Sequence, residues 1–135
     1  MTPGRREDGR EVVMLSGSLL MLGIVALVGE VLLFAALGQL LHWSVGGGWL
    51  GILVAAVGLV LAAGAWGLFM APKGRRRLPT LSRVIVCAIA GVGLGALLSA
   101  QGWPRFGVAV MAAGLAVAGI QWIQGRDRMP NEVPS

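Results

Sequence analysis

Few residues of this sequence have side chains that can do chemistry, and one of them, Glu30, lies deep in an apolar stretch. It stands 11 residues before the end of that stretch at Leu41, or about 16 Å along a helix. If the stretch crosses a bilayer, Glu30 is near the midplane, where a charged side chain costs about 2.5–3.5 kcal/mol. Two hypotheses stay open for Glu30: a proton or cation site, or a carboxyl group that fixes helix packing through hydrogen bonds.

The single cysteine, Cys87, lies within about one helical turn of the same depth when counted back from the end of its own apolar stretch. We therefore predict an intramembrane polar site of Glu30 and Cys87, with no second charged residue at their depth. One cysteine and one histidine, His42, exclude an intrachain disulfide and a Cys/His zinc site. We predict neither a metal nor a cofactor.

No motif of a catalytic site is found in the sequence. It contains no glycine-rich loop ahead of a Lys-Ser or Lys-Thr pair, no zinc-protease motif and no pattern of a nucleophilic triad. The glycine-rich run 91–95 lies inside an apolar stretch, which excludes a nucleotide-binding loop. We predict that the protein is not an enzyme.

The composition shows which elements carry these residues. Of 135 residues, 56% are hydrophobic and only 13% are charged, whereas about 25% of a soluble domain is charged. Mean hydropathy is +0.81. These values exclude a water-soluble globular protein and indicate an integral membrane protein. They also exclude nucleic acid as a partner, although the net charge is +5.

The pattern predicts an all-α integral membrane four-helix bundle in a membrane domain over 12–123. Four apolar stretches, each able to cross the hydrocarbon as a helix, are separated by glycine turns and a basic loop. We expect spans at about 12–41, 49–70, 81–100 and 106–123, with disordered cytoplasmic tails at 1–11 and 124–135.

The basic residues predict the orientation. Of 11 Lys and Arg residues, ten fall in the two tails and in the segment from Lys73 to Arg83, and only Arg105 lies on the other side. Because cytoplasmic loops carry the excess of Lys and Arg, both termini are predicted to be cytoplasmic. We expect Arg75, Arg76 and Arg77 to contact anionic lipid headgroups. The predicted interface anchors are Trp43, Trp49, Trp103 and Trp122.

The apolar stretches contain an internal repeat and pairs of small residues at helical spacing. Segment Val54–Trp66 resembles Val110–Trp122 at an offset of 56 residues, which favours a parallel duplication of a helical hairpin, although chance matching of Ala- and Gly-rich helices is the alternative. The hydrophobic effect does not drive helices together in lipid, so they associate by close packing through small residues. Pairs with this small-xxx-small spacing are Gly58/Ala62, Gly91/Gly95 and Gly114/Ala118.

A stretch after the second span carries a family resemblance. Its motif residues are Trp66, Gly67, Phe69, Ala71, Pro72 and Lys73, followed by Arg76 and Arg77, with Arg83 opening the third span. This pattern resembles the YrdB-like family of small four-span bacterial membrane proteins over roughly 25–123. The resemblance implies a bacterial plasma membrane and the four-span fold, but no activity. The family commonly has a second Glu four residues after this Arg, where this chain has Cys87, and that departure favours a structural role for Glu30.

These observations predict a non-catalytic integral membrane protein that assembles with itself or as an accessory subunit of a larger membrane complex. The predicted partners are the bilayer, its anionic lipids at the basic loop, and other copies or other subunits. The alternative is a small proton- or cation-coupled transporter that uses Glu30. A transporter of antiparallel dimers would need nearly balanced loop charges, so only a parallel arrangement fits this chain.

Overall fold

The structure, a computed structural model, describes residues 7–71, 73 and 76–126. This part of the chain consists of four α-helices: α1 Glu7–Ser44, α2 Gly48–Phe69, α3 Thr80–Ala100 and α4 Pro104–Arg126. All four are long and apolar enough to cross a membrane. The all-α prediction and the number of candidate spans are therefore confirmed.

The neighbouring helices extend into both predicted tails. We expected disorder over 1–11, but α1 begins at Glu7, and its section suited to the membrane is Ser16–Ser44. Likewise α4 continues through 124–126. Extending an existing helix adds one hydrogen bond for each residue fixed and avoids the cost of nucleation, so polar residues beside an apolar helix readily join it. Residues 1–6 and 127–135 lie outside the described part.

The two hairpins, α1–α2 and α3–α4, end their first helices in the same way. Gly46 N–H donates to Trp43 C=O at 3.1 Å and Gly47 N–H to His42 C=O at 3.0 Å. This is a Schellman motif, and it needs a left-handed residue after the helix, which Gly46 supplies with φ 85°. The helix therefore includes His42 through Ser44, which we had assigned to the turn.

The second hairpin repeats this turn 56 residues later. Gly102 N–H donates to Ser99 C=O at 3.2 Å, Trp103 N–H donates to Leu98 C=O at 3.0 Å, and Gly102 has φ 92°. The ends of α1 and α3 and the starts of α2 and α4 also differ by 56 residues. The offset found in the sequence therefore aligns the turns as well as the helices, which favours the predicted hairpin duplication.

Helices α3 and α4 make the closest contact, along a seam of glycines. A Cβ built on Gly91 would lie 2.5 Å from the Cα of Gly114, and one on Gly95 would overlap the backbone oxygen of Gly107. No side chain larger than hydrogen fits at these positions, so the two backbones pack directly. This contact confirms the expectation that Gly91, Gly95 and Gly114 lie where helices meet.

Helix α1 packs across the α3–α4 pair. The buried apolar residues of the molecule form two clusters. Near the two hairpin turns, which we call the turn end, the buried residues are Leu33, Ala36, Leu98 and Val110. At the opposite end, which holds the segment 70–79 and is called the basic-loop end, they are Met70, Cys87, Val117 and Ala118. Gly29 lets α1 approach α4 beside Val117. These three helices form the packed part of the molecule.

Helix α2 stands apart, because its backbone closely approaches that of α1 alone among the helices described, and only its end, at Trp66 and Met70, reaches the cluster of the basic-loop end. Its contacts begin at the turn end, where Gly51 meets the backbone oxygen of His42, and continue where Gly58 meets Leu41. Towards the basic-loop end, Trp66 packs edge to face on Phe34, with ring centroids 6.0 Å apart. The four helices therefore do not enclose one common core, and a cleft separates α2 from α3.

The glycine seam predicts unequal effects of two identical substitutions in α3. Gly91→Ala pushes α3 and α4 apart and should lower the free energy of unfolding by about 1–3 kcal/mol, as overpacking does. Gly93→Ala is the matched control, because a Cβ there meets no atom within 4 Å. Its stability should equal or exceed that of the wild type, since Ala favours helix over Gly by about 1 kcal/mol. Unfolding in mixed micelles measures both, and equal stability of the two variants would contradict the seam.

Candidate functional site

Glu30 lies on α1 in the cleft between α2 and α3, where it is half-buried. The indole N–H of Trp66, on α2, donates a hydrogen bond to its carboxyl group. Phe34 follows Glu30 by one helical turn and packs against the same indole. The carboxyl group therefore has a protein partner on α2 and also borders open space.

The cleft has a volume of about 330 Å³ and a nearly apolar wall. Helix α1 forms its floor, and α2 and α3 form its sides, with Leu78 from the basic-loop end. It opens sideways, because α2 does not approach α3. Among its lining residues, Glu30 is the one that can ionise. Besides Glu30, the residues that line it are Leu33, Phe34, Leu37, Ala62, Ala65, Trp66, Phe69, Met70, Leu78, Val86, Ala90 and Leu94.

Cys87 is fully buried on α3, within the apolar cluster of the basic-loop end. Trp66 packs against that cluster, and the charges of both Glu30 and Arg83 act on the Cys87 thiol. The structure thus brings Glu30 and Cys87 into one region, as their depths suggested. Cys87 is packed among apolar side chains and does not line the cleft.

Arg83 changes the expected electrostatics of this region. We had counted it with the basic loop and expected no second charge near Glu30 and Cys87. It lies in the first turn of α3, as expected for a residue that opens the third span, but it is only 4% exposed. Its guanidinium donates to Gln121 Oε1 on α4 at 2.6 Å and to Thr80 Oγ1 at 3.3 Å. Side chains on a helix lean towards its N-terminus, which directs the long Arg83 side chain to the basic-loop end.

Glu30, Trp66, Arg83, Cys87 and Gln121 form what we call the polar cluster. All four helices contribute to it, and it consists of the hydrogen-bonded pairs Trp66–Glu30 and Arg83–Gln121 and the buried Cys87. Hydrogen-bonded partners offset much of the penalty of burying polar groups in an apolar region. The cluster ties α1 to α2 and α3 to α4 towards the basic-loop end, where the close approach of Gly125 to Thr80 also holds α3 against α4.

The motif residues divide between the cleft and the surface. Trp66 and Phe69 line the cleft, whereas Gly67 lies on the exposed side of α2, where a Cβ would meet no atom within 4 Å. After α2 the chain turns back, because Leu78 N–H donates to Phe69 C=O at 3.0 Å. Ala71 and Arg77 are half-buried there, and Lys73 and Arg76 are exposed. Pro72 and Arg75 lie outside the described residues.

The predicted interface anchors lie at helix ends. Trp43, Trp49 and Trp103 flank the two hairpin turns and Trp122 lies near the end of α4, and between 45% and 73% of each is exposed. These positions suit side chains at a membrane–water boundary. Among the described residues, no three His, Cys, Asp or Glu side chains converge as a metal site would require.

Two members of the polar cluster were missed as partners in the sequence. Trp66 was assigned to the family motif, although an indole N–H near the depth of a carboxyl group is a natural donor. Gln121 is a polar residue near the end of the predicted fourth span, 106–123, and no partner was assigned to it from the sequence. Gln121 lies as far from the end of the fourth span as Arg83 lies from the start of the third span. In an antiparallel hairpin this puts the two residues at the same depth, and this match was the signal that could have paired them.

The family comparison matches residues 24–116, more than half of the chain, to a family described as a protein of unknown function (DUF2568). The chain therefore belongs to this family. The matched range includes Glu30, Trp66, Arg83 and Cys87, while Gln121 lies beyond it. No curated protein matches the chain, and no solved structure does either.

The Arg83–Gln121 pair predicts a stability difference between two variants of the same residue. Gln121→Leu removes the acceptor of the 2.6 Å bond and should lower the free energy of unfolding by about 1.5–3 kcal/mol, as expected for a buried bond to a charged group. Gln121→Glu keeps an acceptor for Arg83 and should lose less. Both values come from unfolding in mixed micelles. If Gln121→Leu were as stable as the wild type, this pair would not hold α3 to α4.

Proposed function

We propose that this member of the DUF2568 family is a non-catalytic subunit of a membrane assembly, formed with copies of itself or with a larger complex. It resides in a bacterial plasma membrane with both termini cytoplasmic. Four apolar helices of spanning length support the multi-pass arrangement. The narrower identification with the YrdB-like family stays a prediction.

The orientation follows from the helices and the charges together. Four spans support an arrangement with both termini on one side, together with the basic-loop end and ten of the 11 Lys and Arg residues. By the positive-inside rule this side is cytoplasmic. The exposed Lys73 and Arg76 at this end suit anionic lipid headgroups, at about 1 kcal/mol for each basic residue near the surface.

The observation that carries the assembly role is the outer face of α2, which comprises Val57, Val60, Leu61, Gly64, Gly67 and Leu68. All six residues are exposed, and they lie away from both α1 and the cleft. Because the backbone of α2 closely approaches that of α1 alone, none of the described helices packs on this face.

Glycines on this face are costly unless something approaches them. A Cβ on Gly64 or Gly67 would meet no atom within 4 Å, so packing inside the chain does not require glycine there. Glycine in a helix interior is less favourable than Ala by about 1 kcal/mol. In membranes, glycine on an interface lets a neighbouring helix pack closely. Open glycines also occur singly, at Gly93 of α3 and Gly119 of α4, whereas α2 has two of them on one exposed face, which a second helix can use together.

The assembly role predicts different effects of one substitution at two open glycines. Gly64→Leu on the outer face of α2 should shift the wild-type particle to a smaller one in blue-native electrophoresis. Gly119→Leu on α4 is the matched control, since a Cβ there also meets nothing within 4 Å, and it should leave the particle unchanged. Mass spectrometry of the purified particle separates self-assembly from a partner subunit. A monomeric wild type without a co-purifying protein would contradict the proposal.

The alternative is a small proton- or cation-coupled transporter that uses Glu30. The observation that favours it is the position of this half-buried carboxyl group in a cleft with a sideways opening. A transporter needs its ion-binding carboxyl group during turnover. Cation uptake or efflux that survives Glu30→Gln at normal expression would exclude this alternative.

A further inference from the structure

We infer that the cleft between α2 and α3 binds a hydrophobic organic cation, with its charge beside Glu30 and its apolar body against the aromatic and aliphatic wall. Such a ligand carries one positive charge on a quaternary ammonium or phosphonium centre. This site does not depend on the proposed assembly role, because that role uses the opposite face of α2. It also gives the transport alternative a ligand class, although binding does not require transport.

The wall of the cleft has two kinds of surface that suit this ligand. Phe34, Trp66 and Phe69 supply aromatic rings on α1 and α2, close to Glu30. Aromatic rings attract organic cations through their negative faces, by about 2 kcal/mol or more when desolvated. The remaining lining side chains are aliphatic, except for Met70, and they suit an apolar body.

Charge complementarity selects a cation over neutral and anionic ligands. Among the described residues that line the cleft, Glu30 is the single ionisable one, and the Arg83 guanidinium is hydrogen-bonded to Gln121 and Thr80, which do not line it. A neutral apolar ligand would fill the space but leave a charged carboxylate in an apolar setting, which is costly. An anion would add a second negative charge. A cation instead pairs with the carboxylate, and the Coulomb attraction between the two charges is stronger in an apolar setting than in water.

Size selects a small molecule over a protein segment. A volume of about 330 Å³ falls at the lower end of the range of about 300–1,000 Å³ for small-molecule pockets. A transmembrane helix of roughly 20 residues is about 10 Å wide along its whole length and does not fit in this space. The sideways opening admits a molecule already dissolved in the bilayer, which a hydrophobic cation can be.

Binding of tetraphenylphosphonium to the full chain in nanodiscs tests the inference, with empty nanodiscs as background and equilibrium dialysis as the readout. Tetraphenylborate is the control ligand, because it has the same shape and the opposite charge. The wild type should bind the cation saturably and the anion not at all. Glu30→Gln keeps an oxygen for the Trp66 indole but removes the charge, and it should weaken cation binding at least tenfold.

A second pair of variants keeps the test valid if Glu30→Gln perturbs folding. Ala65 lines the cleft and Ala63 does not, although both are exposed on α2. Ala65→Phe should fill the space and abolish saturable binding, and Ala63→Phe should bind as the wild type does. Three results would overturn the inference: no saturable binding by the wild type, equal binding of the anion, or undiminished binding by both Glu30→Gln and Ala65→Phe. Anion binding would indicate an apolar pocket for lipid chains instead.

Discussion

The structure depends on the absence of a hydrophobic force between helices in lipid, because hydrocarbon already solvates their apolar side chains. Helices then stay together only where backbones approach closely or polar groups pair. Helices α3 and α4 have both, in the glycine seam around Gly91 and Gly114 and in the Arg83–Gln121 pair. Helix α2 lacks a seam with α3, and it is held on α1 by small residues near the turn and by the Trp66–Glu30 bond further along.

This unequal packing creates the candidate site. If α2 packed against α3 as closely as α4 does, the cleft would close and Glu30 would be enclosed. Because it does not, the carboxyl group borders a space of about 330 Å³ with an apolar wall. The same residue therefore combines two features: it accepts the indole hydrogen bond that holds α2, and it is the ionisable group among the described lining residues of the cleft. The sequence presented structural and functional roles as alternatives, but the geometry makes them compatible.

Much of the fold could be predicted from the sequence, because hydropathy and turn chemistry are local. The four helices, the glycine turns and the close approach at Gly91, Gly95 and Gly114 all follow from such signals. The separation of α2 from α3 could not be predicted, since apolar faces in lipid carry no pattern that identifies their neighbour. The burial of Arg83 could not be predicted for a related reason. A basic residue near the end of a predicted span can belong to the loop or be buried in the helix. For Arg83, only the hydrogen-bond partner Gln121 distinguishes these two positions.

The hydrogen bond from Trp66 to Glu30 is central to this account, and the indole signals of the five Trp residues report on it directly. In a ¹H–¹⁵N spectrum of the protein in nanodiscs, Trp66→Phe identifies the signal of interest. Glu30→Leu removes the acceptor, so the Trp66 indole proton should move upfield and exchange faster with solvent. Glu30→Gln should largely preserve both its position and its protection, while the other indole signals stay unchanged. A Trp66 signal that does not respond to Glu30→Leu would show that Glu30 does not hold α2 to α1.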